Sequence, residues 1–418
     1  MSKKPRPKLL FADENGEIYD HPDLEMLVRR GSELARPRPD EYIPLPDESE
    51  LFLLPGRRAM GLDPETGEIE VMEEQAVAAF VRPGFTLTGT AAYLSDEDAP
   101  VLPLLAYAPV GFANGRIWAA CKQVDADTRQ IFTGIDPDRI RRGARDWLAE
   151  FPDNRLVAHL ARCALTYCCP AARNLALGRY EAPLPTARTC NAGCIGCISL
   201  QSKDSGFPAP QNRIDFRPTP DEIVQIMHRH ASREKKPILS FGQGCEGEPL
   251  TEWKLIAEAV EKYRTEGGSG TVNVNTNASM PDAVGALAEA GVSSIRASIN
   301  SARPGLYSAY YRPRGYGFED VLQSLLNAKA GGMFVSLNYL FFPGVSDTEA
   351  ETEALCNLVS NADVDFIQLR NLNIDPEFYL DLAGEYASGP SMGLANFRKR
   401  IKRVKPDIEF GYFNPYVG

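Results

Sequence analysis

From about residue 181 to residue 375 the chain alternates between short apolar runs and amphipathic stretches, and this restricts its fold more than any other feature. Residues 182–188 read as a first strand. Thr219, Pro220 and Glu222 supply a cap, a first-turn proline and a capping-box acid. Ile223, Ile226, Met227 and His230 then share one face, which predicts a helix through Arg233. Residues 237–241 form a buried strand, followed by a glycine loop and a helix over 251–264. Residues 271–277 alternate apolar and polar side chains with the period of a strand. Ser279 and Asp282 open the next helix and Gly291 closes it. Strands follow at 294–300, at 334–342 (ending at Pro343 and Gly344) and at 365–370. Helices at 318–329 and 347–359 separate them, the second with acids crowded in its first turn, where the helix dipole favours them. Six strands alternating with helices predict an α/β fold, a parallel sheet curled into a partial (β/α)6 TIM-like barrel over 181–375. In such barrels the chemistry gathers at the C-terminal strand ends.

Between the first strand and the first helix stand Cys190, Cys194 and Cys197, spaced Cys-x3-Cys-x2-Cys. A loop this short brings its thiolates to one metal centre. Four thiolates normally hold a [4Fe-4S] cluster. Three leave one iron with an open position, the mark of a reactive site rather than a structural one. A structural zinc site is the plain alternative, but no fourth ligand at a spacing such as Cys-x2-Cys or His-x3-His lies close by. Upstream, residues 154–177 read as helical and carry His159, Cys163, Cys168 and Cys169. His159 and Cys163 share one helical face and are placed to touch a second metal centre. The plainer reading is that these small residues pack against the next unit.

The spacing of Cys190, Cys194 and Cys197 resembles the signature of the radical S-adenosylmethionine (radical SAM) superfamily. Residues 242–250, Gly-Gln-Gly-Cys-Glu-Gly-Glu-Pro-Leu, resemble that family's Gly-Gly-Glu-Pro stretch. The resemblance covers about residues 183–375. It implies that the triplet binds a [4Fe-4S] cluster whose open iron takes the amino acid part of S-adenosylmethionine. It further implies that Gly244, Glu246, Gly247 and Glu248 meet the ammonium of that cofactor. Thr276 and Asn277 would face the barrel mouth. Ser298 and Asn300 resemble the polar pair near the ribose and carboxylate, and Asn338 and Gly344 the ribose and adenine contacts. The implied activity is reductive cleavage of S-adenosylmethionine to a 5′-deoxyadenosyl radical that abstracts hydrogen from a small-molecule or peptide substrate. A flavodoxin- or ferredoxin-like protein would deliver the electron. Two positions depart from the pattern. Gly196 stands where the family often has an aromatic residue, so Phe241 or Phe342 would have to cover that face. Cys245 sits inside the glycine loop, either as a hydrogen-atom donor near the radical or as a small residue filling a tight turn.

Arg296, Arg312, Arg314 and Arg370 are candidates to hold a carboxylate or phosphate. Tyr307, Tyr310, Tyr311 and Tyr316 form either a substrate clamp or a packed segment. No cysteine follows Asp375, which counts against peptide-modifying members with auxiliary clusters. Rivals are an RNA-methylating relative and a non-catalytic iron-sulfur or zinc protein. The net charge of −11 argues against broad nucleic-acid binding. Nine cysteines with no export signal, and no long apolar run, point to a reducing, cytoplasmic setting and no membrane span.

Residues 1–180 are expected to form an N-terminal β-rich or α+β extension of unassigned role. Residues 1–45 read as a loosely ordered lead-in with a short helix near 24–34. From Leu51 short apolar runs broken by turn signals suggest strands, and Asp136 opens a helix through Trp147. Residues 376–418 form a C-terminal extension with a basic helix near 397–405 and one further strand near Phe410.

Overall fold

A computed structural model describes residues 4–203 and 205–418. Its centre is a seven-stranded, wholly parallel sheet whose strands lie side by side in sequence order. They are Glu181–Pro183, Ile238–Phe241, Thr271–Thr276, Ser294–Ile299, Phe334–Phe341, Phe366–Asn371 and Glu409–Gly411. The second and third are buried at every position, as a strand covered on both faces must be. The first strand stops earlier than expected, because Pro185 has no amide to continue the ladder. The helix after it, Pro220–Ala231, carries the full capping box: Glu222 N–H donates to Thr219 Oγ1 at 3.2 Å and Thr219 N–H to Glu222 Oε2 at 2.7 Å. The tail adds the seventh strand and the basic helix Gly393–Val404.

Three helices precede the sheet: Pro137–Glu150, Arg155–Leu165 and Pro170–Leu177. The stretch read as one helix over 154–177 is broken at Thr166–Cys169, where Pro170 cannot donate to the preceding turn and Cys168 adopts a φ of 54°. Trp147, Leu156, Val157, Leu160 and Leu175 share one apolar core with the parallel sheet and its helices. These helices therefore belong by packing to the barrel side of the expected boundary at residue 180.

Upstream lies an eight-stranded antiparallel sheet built around the long hairpin Glu50–Leu62 and Ile69–Phe80. The expected loose lead-in is part of it. Strand Lys8–Ala12 pairs with Ile18–Met26 within it, and Val28–Arg30 pairs with both Glu33–Ala35 and Thr90–Ala91 in a separate three-stranded sheet. The helix expected near 24–34 is absent for the same reason: its apolar spacing fits a helix in isolation, but sheet partners far along the chain take up its backbone bonds. Buried Glu25 is matched there by Arg36 at 2.7 Å and Arg6 at 3.6 Å.

The antiparallel part docks at the C-terminal end of the sixth parallel strand. Strand Phe85–Leu87, paired with Cys121–Gln123 as a separate two-stranded sheet, meets Asn371 there: Leu87 N–H donates to Asn371 Oδ1 at 2.9 Å, and Asn371 Nδ2 donates to Phe85 O at 3.0 Å. Arg57 pairs with Asp375 at 2.9 Å, each side chain only 3% exposed. The loop carrying the cysteine triplet leaves the sheet at the same end, after the first strand. No helix among the described residues is long and apolar enough to cross a membrane.

Candidate active site

Two sets of backbone bonds fix the cysteine loop. On one side it pairs with the end of helix Pro304–Tyr311 and the residues after it. Gly193 N–H donates to Tyr311 O at 3.0 Å, Ile195 N–H to Tyr310 O at 3.1 Å, and Arg314 N–H to Asn191 O at 2.9 Å. On the other side Gln201 Nε2 donates to Ile195 O and Cys197 O, both at 2.7 Å. The three thiols are half-buried and none is in a disulfide. Burial, then neighbouring Glu248, pushes the Cys190 thiol up, and burial with its two sister cysteines pushes Cys194 up further. Without a cation Cys190 and Cys194 stay protonated. In a polynuclear cluster each thiolate binds a separate iron.

Gly196 has a specific reason to be glycine. A Cβ there would lie 2.3 Å from Tyr310 Oη. Tyr310 is the aromatic side chain that packs against Gly196. The tyrosines of this helix are packed, not clamped around open space: Tyr307 stacks on Tyr311 with centroids 4.5 Å apart, and Tyr310 meets Tyr311 edge-on.

The glycine loop lies directly against the cysteine loop. Gly247 N–H donates to Ala187 O at 2.7 Å and Glu248 N–H to Thr189 O at 2.8 Å. A Cβ on Gly247 would sit 1.9 Å from Thr189 O, and one on Gly244 would strike Gln211 and Ile198. Both glycines permit loop-to-loop contact, which differs from the expected approach to a ligand. Glu246 also departs from expectation. Its carboxylate accepts from Thr186 N, Ala187 N and Gln243 N within 2.7–2.9 Å, so it is spent on tying the two loops together. Glu248 is different. It accepts from Leu250 N at 3.0 Å, from Asn277 N at 2.8 Å and from the Thr276 hydroxyl, and burial still pushes its carboxyl up to about 7. Thr276 and Asn277 therefore act through Glu248. Asn277 reaches the cysteine loop as well, donating to Asn191 Oδ1 at 2.9 Å.

Ser298 and Asn338 face each other across adjacent strands, with Asn338 Nδ2 donating to Ser298 Oγ at 3.0 Å. Asn300 Nδ2 donates to Tyr379 Oη at 3.1 Å. The side-chain oxygens of Asn300 and Asn338 are buried with no partner, which is costly unless a ligand supplies a donor. The three free thiols fit a [4Fe-4S] cluster, and the two orphan acceptors fit a polar cofactor such as S-adenosylmethionine.

Gly344 and Cys245 take other positions. A Cβ on Gly344 would lie 1.9 Å from Gly31 N, and its own φ is 86°. The turn between Val28–Arg30 and Glu33–Ala35 packs against Gly344, with Gly31 N–H donating to Pro343 O at 3.3 Å. Cys245 is buried, with its thiol grouped with His159 and Cys163. It does not line the cavity beside the triplet, so the expected hydrogen-atom donor does not face that space.

That cavity measures about 690 Å³ and is walled by Cys190, Cys194, Cys197, Arg213, Arg312 and Arg314. Arg296 and Arg370 are elsewhere: Arg296 donates to Gln368 Oε1 at 3.1 Å, and Arg370 lies over the Tyr412 ring. Arg213 was not singled out by sequence reading. Its guanidinium stands 3.6 Å from Cys197 Sγ and donates to Ser199 Oγ at 3.2 Å. Asn191 and Gln201 were missed too, although both flank the triplet closely in sequence.

Residues 184–356 match the family model of the radical SAM superfamily. Several solved structures are similar. One is a radical SAM methyltransferase from Sphaerobacter thermophilus, with 15% identity, TM-score 0.39, and 56% of this chain covered. The match spans 65% of that methyltransferase's length. Methylornithine synthase is 16% identical at TM-score 0.37, over 66% of this chain and 77% of that one. Streptococcus suis SuiB bound to S-adenosylmethionine is 14% identical at TM-score 0.37, over 76% and 72%. No curated protein matches the chain by sequence.

Proposed function

We propose that the chain is a radical SAM enzyme that takes a [4Fe-4S] cluster and S-adenosylmethionine as cofactors, with Cys190, Cys194 and Cys197 as the cluster's ligands; the match of residues 184–356 to the radical SAM family model supports this reading. One observation carries this assignment: three free thiols on one hydrogen-bonded loop line a cavity of about 690 Å³. Sequential parallel strands with right-handed crossovers carry their helices on one side, and we read the sheet as a partial (β/α)6 barrel with this loop at its mouth. When bound, the cluster supplies the electron that splits S-adenosylmethionine and so provides the 5′-deoxyadenosyl radical for hydrogen abstraction. The chain's own residues bind, orient and cover. Glu248 receives the cofactor's ammonium, and Thr276 and Asn277 hold that carboxylate in place. Asn300 and Asn338 accept from its polar groups. Arg312 and Arg314, exposed at the cavity wall, and Arg213 favour a substrate bearing a carboxylate or phosphate. The antiparallel sheet covers the far side of the mouth. A flavodoxin- or ferredoxin-like protein is the proposed electron donor.

The direct test is anaerobic EPR of the reconstituted, dithionite-reduced protein. A [4Fe-4S]+ signal that shifts on adding S-adenosylmethionine is expected. A reduced cluster blind to S-adenosylmethionine would mean a fourth protein ligand and would end this reading.

The acidity of Glu248 gives a second expectation. An ammonium beside it favours the carboxylate, so binding below neutrality must expel a proton. Affinity for S-adenosylmethionine should rise by up to about tenfold per pH unit as the pH approaches about 7, with little gain above it. Glu248→Gln should weaken binding and flatten that slope; an unchanged slope in titration calorimetry would remove Glu248 from this role. Without the cofactor the sign reverses for stability. The folded state holds this proton more tightly than the unfolded chain, so stability declines as pH rises from about 4.5 through about 7.

A further inference from the structure

The nine cysteines do not divide simply into a triplet and scattered core residues. Two of them meet a histidine away from the cavity. His159 and Cys163 lie one turn apart on helix Arg155–Leu165, and Cys245 comes from the glycine loop. Their ligand atoms all fall within 4.8 Å of one another, the one such grouping of three His, Cys, Asp or Glu side chains among the described residues. All three are more than nine-tenths buried, at 6%, 3% and 6% exposure. His159 Nε2 stands 3.5 Å from Cys163 Sγ, and His159 Nδ1 has no hydrogen-bond partner.

Buried polar groups are normally satisfied, and two thiols with one imidazole are poor at satisfying one another. A single ion satisfies them well. In a tetrahedral zinc site with Zn–S of about 2.3 Å and Zn–N of about 2.0–2.1 Å, neighbouring sulfur and nitrogen ligands are about 3.6 Å apart. The His159–Cys163 separation already matches that edge. The group is too tight for an iron-sulfur cluster, whose thiolates bind separate irons. Borderline-soft nitrogen and sulfur donors in a closed pocket select zinc over magnesium or calcium.

We propose that His159, Cys163 and Cys245 hold one zinc ion, a centre separate from the Cys190–Cys194–Cys197 loop. Three protein ligands suffice to hold zinc. Cys169, whose amide donates to Cys163 O at 3.1 Å, is the neighbouring donor for a fourth position. The ion fastens a helix that precedes the parallel sheet to the loop carrying Glu246 and Glu248. Its role is to hold that loop rigid from behind, on the side away from the Glu246 bonds to Thr186 and Ala187.

The test is metal analysis of the full chain with and without its two sets of thiols. Anaerobically purified protein is dialysed against Zn2+, freed of loose metal, and measured for zinc and iron. About one zinc per chain is expected in wild type and in the Cys190→Ala, Cys194→Ala, Cys197→Ala triple variant, which should lose iron. Cys163→Ser combined with Cys245→Ser should lose zinc and still take up iron. Because that pair of substitutions risks misfolding, a second measurement uses no change at the site. Co2+ added to the triple variant should give the visible bands of a tetrahedral ion and thiolate-to-cobalt charge transfer. Absence of that spectrum, zinc below stoichiometry in wild type, or a Cys163–Cys245 disulfide in its peptide map would overturn the proposal. So would full zinc retention in the Cys163 and Cys245 double variant.

Discussion

Replacing Cys194 with alanine is expected to reduce iron and acid-labile sulfide to background and to abolish formation of 5′-deoxyadenosine. Cys194 is the middle cysteine of the loop and the one whose thiol is pushed up most clearly by burial and by Cys190 and Cys197 on either side. Removing it leaves two thiols too few to hold a cubane. The loop itself should survive, because its backbone bonds to Tyr310, Tyr311 and Arg314 and the Gln201 clamp do not involve the thiol. Thermal unfolding of the cluster-free variant should therefore resemble that of cluster-free wild type. Full S-adenosylmethionine cleavage by Cys194→Ala would refute the ligand assignment. So would normal iron content.

Asp375→Ala should have the largest effect on stability. Asp375 Oδ2 accepts from Arg57 at 2.9 Å and from Leu102 N at 2.8 Å, and Oδ1 caps the helix Pro376–Ala383 through Glu377 N at 3.0 Å. Alanine removes all of these and strands a buried guanidinium, at a cost of about 3–5 kcal/mol. The antiparallel sheet should loosen from the strand ends, seen as a lower unfolding midpoint in urea and new protease cleavage between the two sheets. Replacing both partners with apolar residues (Arg57→Met with Asp375→Leu) should recover much of the loss, since no charge is then left unpaired. Equal stability of Asp375→Ala and wild type would show that the ion pair does not hold the two sheets together.

The parallel sheet was legible because its signals are local: the Thr219–Glu222 capping box, the alternation at 271–277 and the stop at Gly331 each depend on a few neighbouring residues. The triplet was legible for the same reason. What the sequence hid depends on contacts between distant segments. Residues 24–34 were read as a helix because their sheet partners lie as far away as Thr90–Ala91. Nothing local reveals that Gly31 packs against Gly344. Glu246 and Glu248 are two residues apart and chemically identical, yet one ties the two loops together and the other is held by Leu250, Thr276 and Asn277. Only the placement of Thr186, Ala187 and Thr276 separates them. Cys163 and Cys245, 82 positions apart, could not be paired without the fold.

The contacts that dock the antiparallel sheet span a great length of chain: Arg57 and Asp375 are 318 residues apart, and Leu87 and Asn371 are 284. At about 5–20 residues per second of synthesis, the first sheet waits roughly 15–60 s on the ribosome before its docking surface exists. It can wait, because it has two apolar cores of its own, around Leu10, Val77 and Val110 and around Leu54, Tyr93 and Tyr107. The mouth of the parallel sheet is therefore closed last, after its final strands emerge. Until then, the loop of three thiols is made but uncovered, open to whatever machinery delivers iron and sulfide.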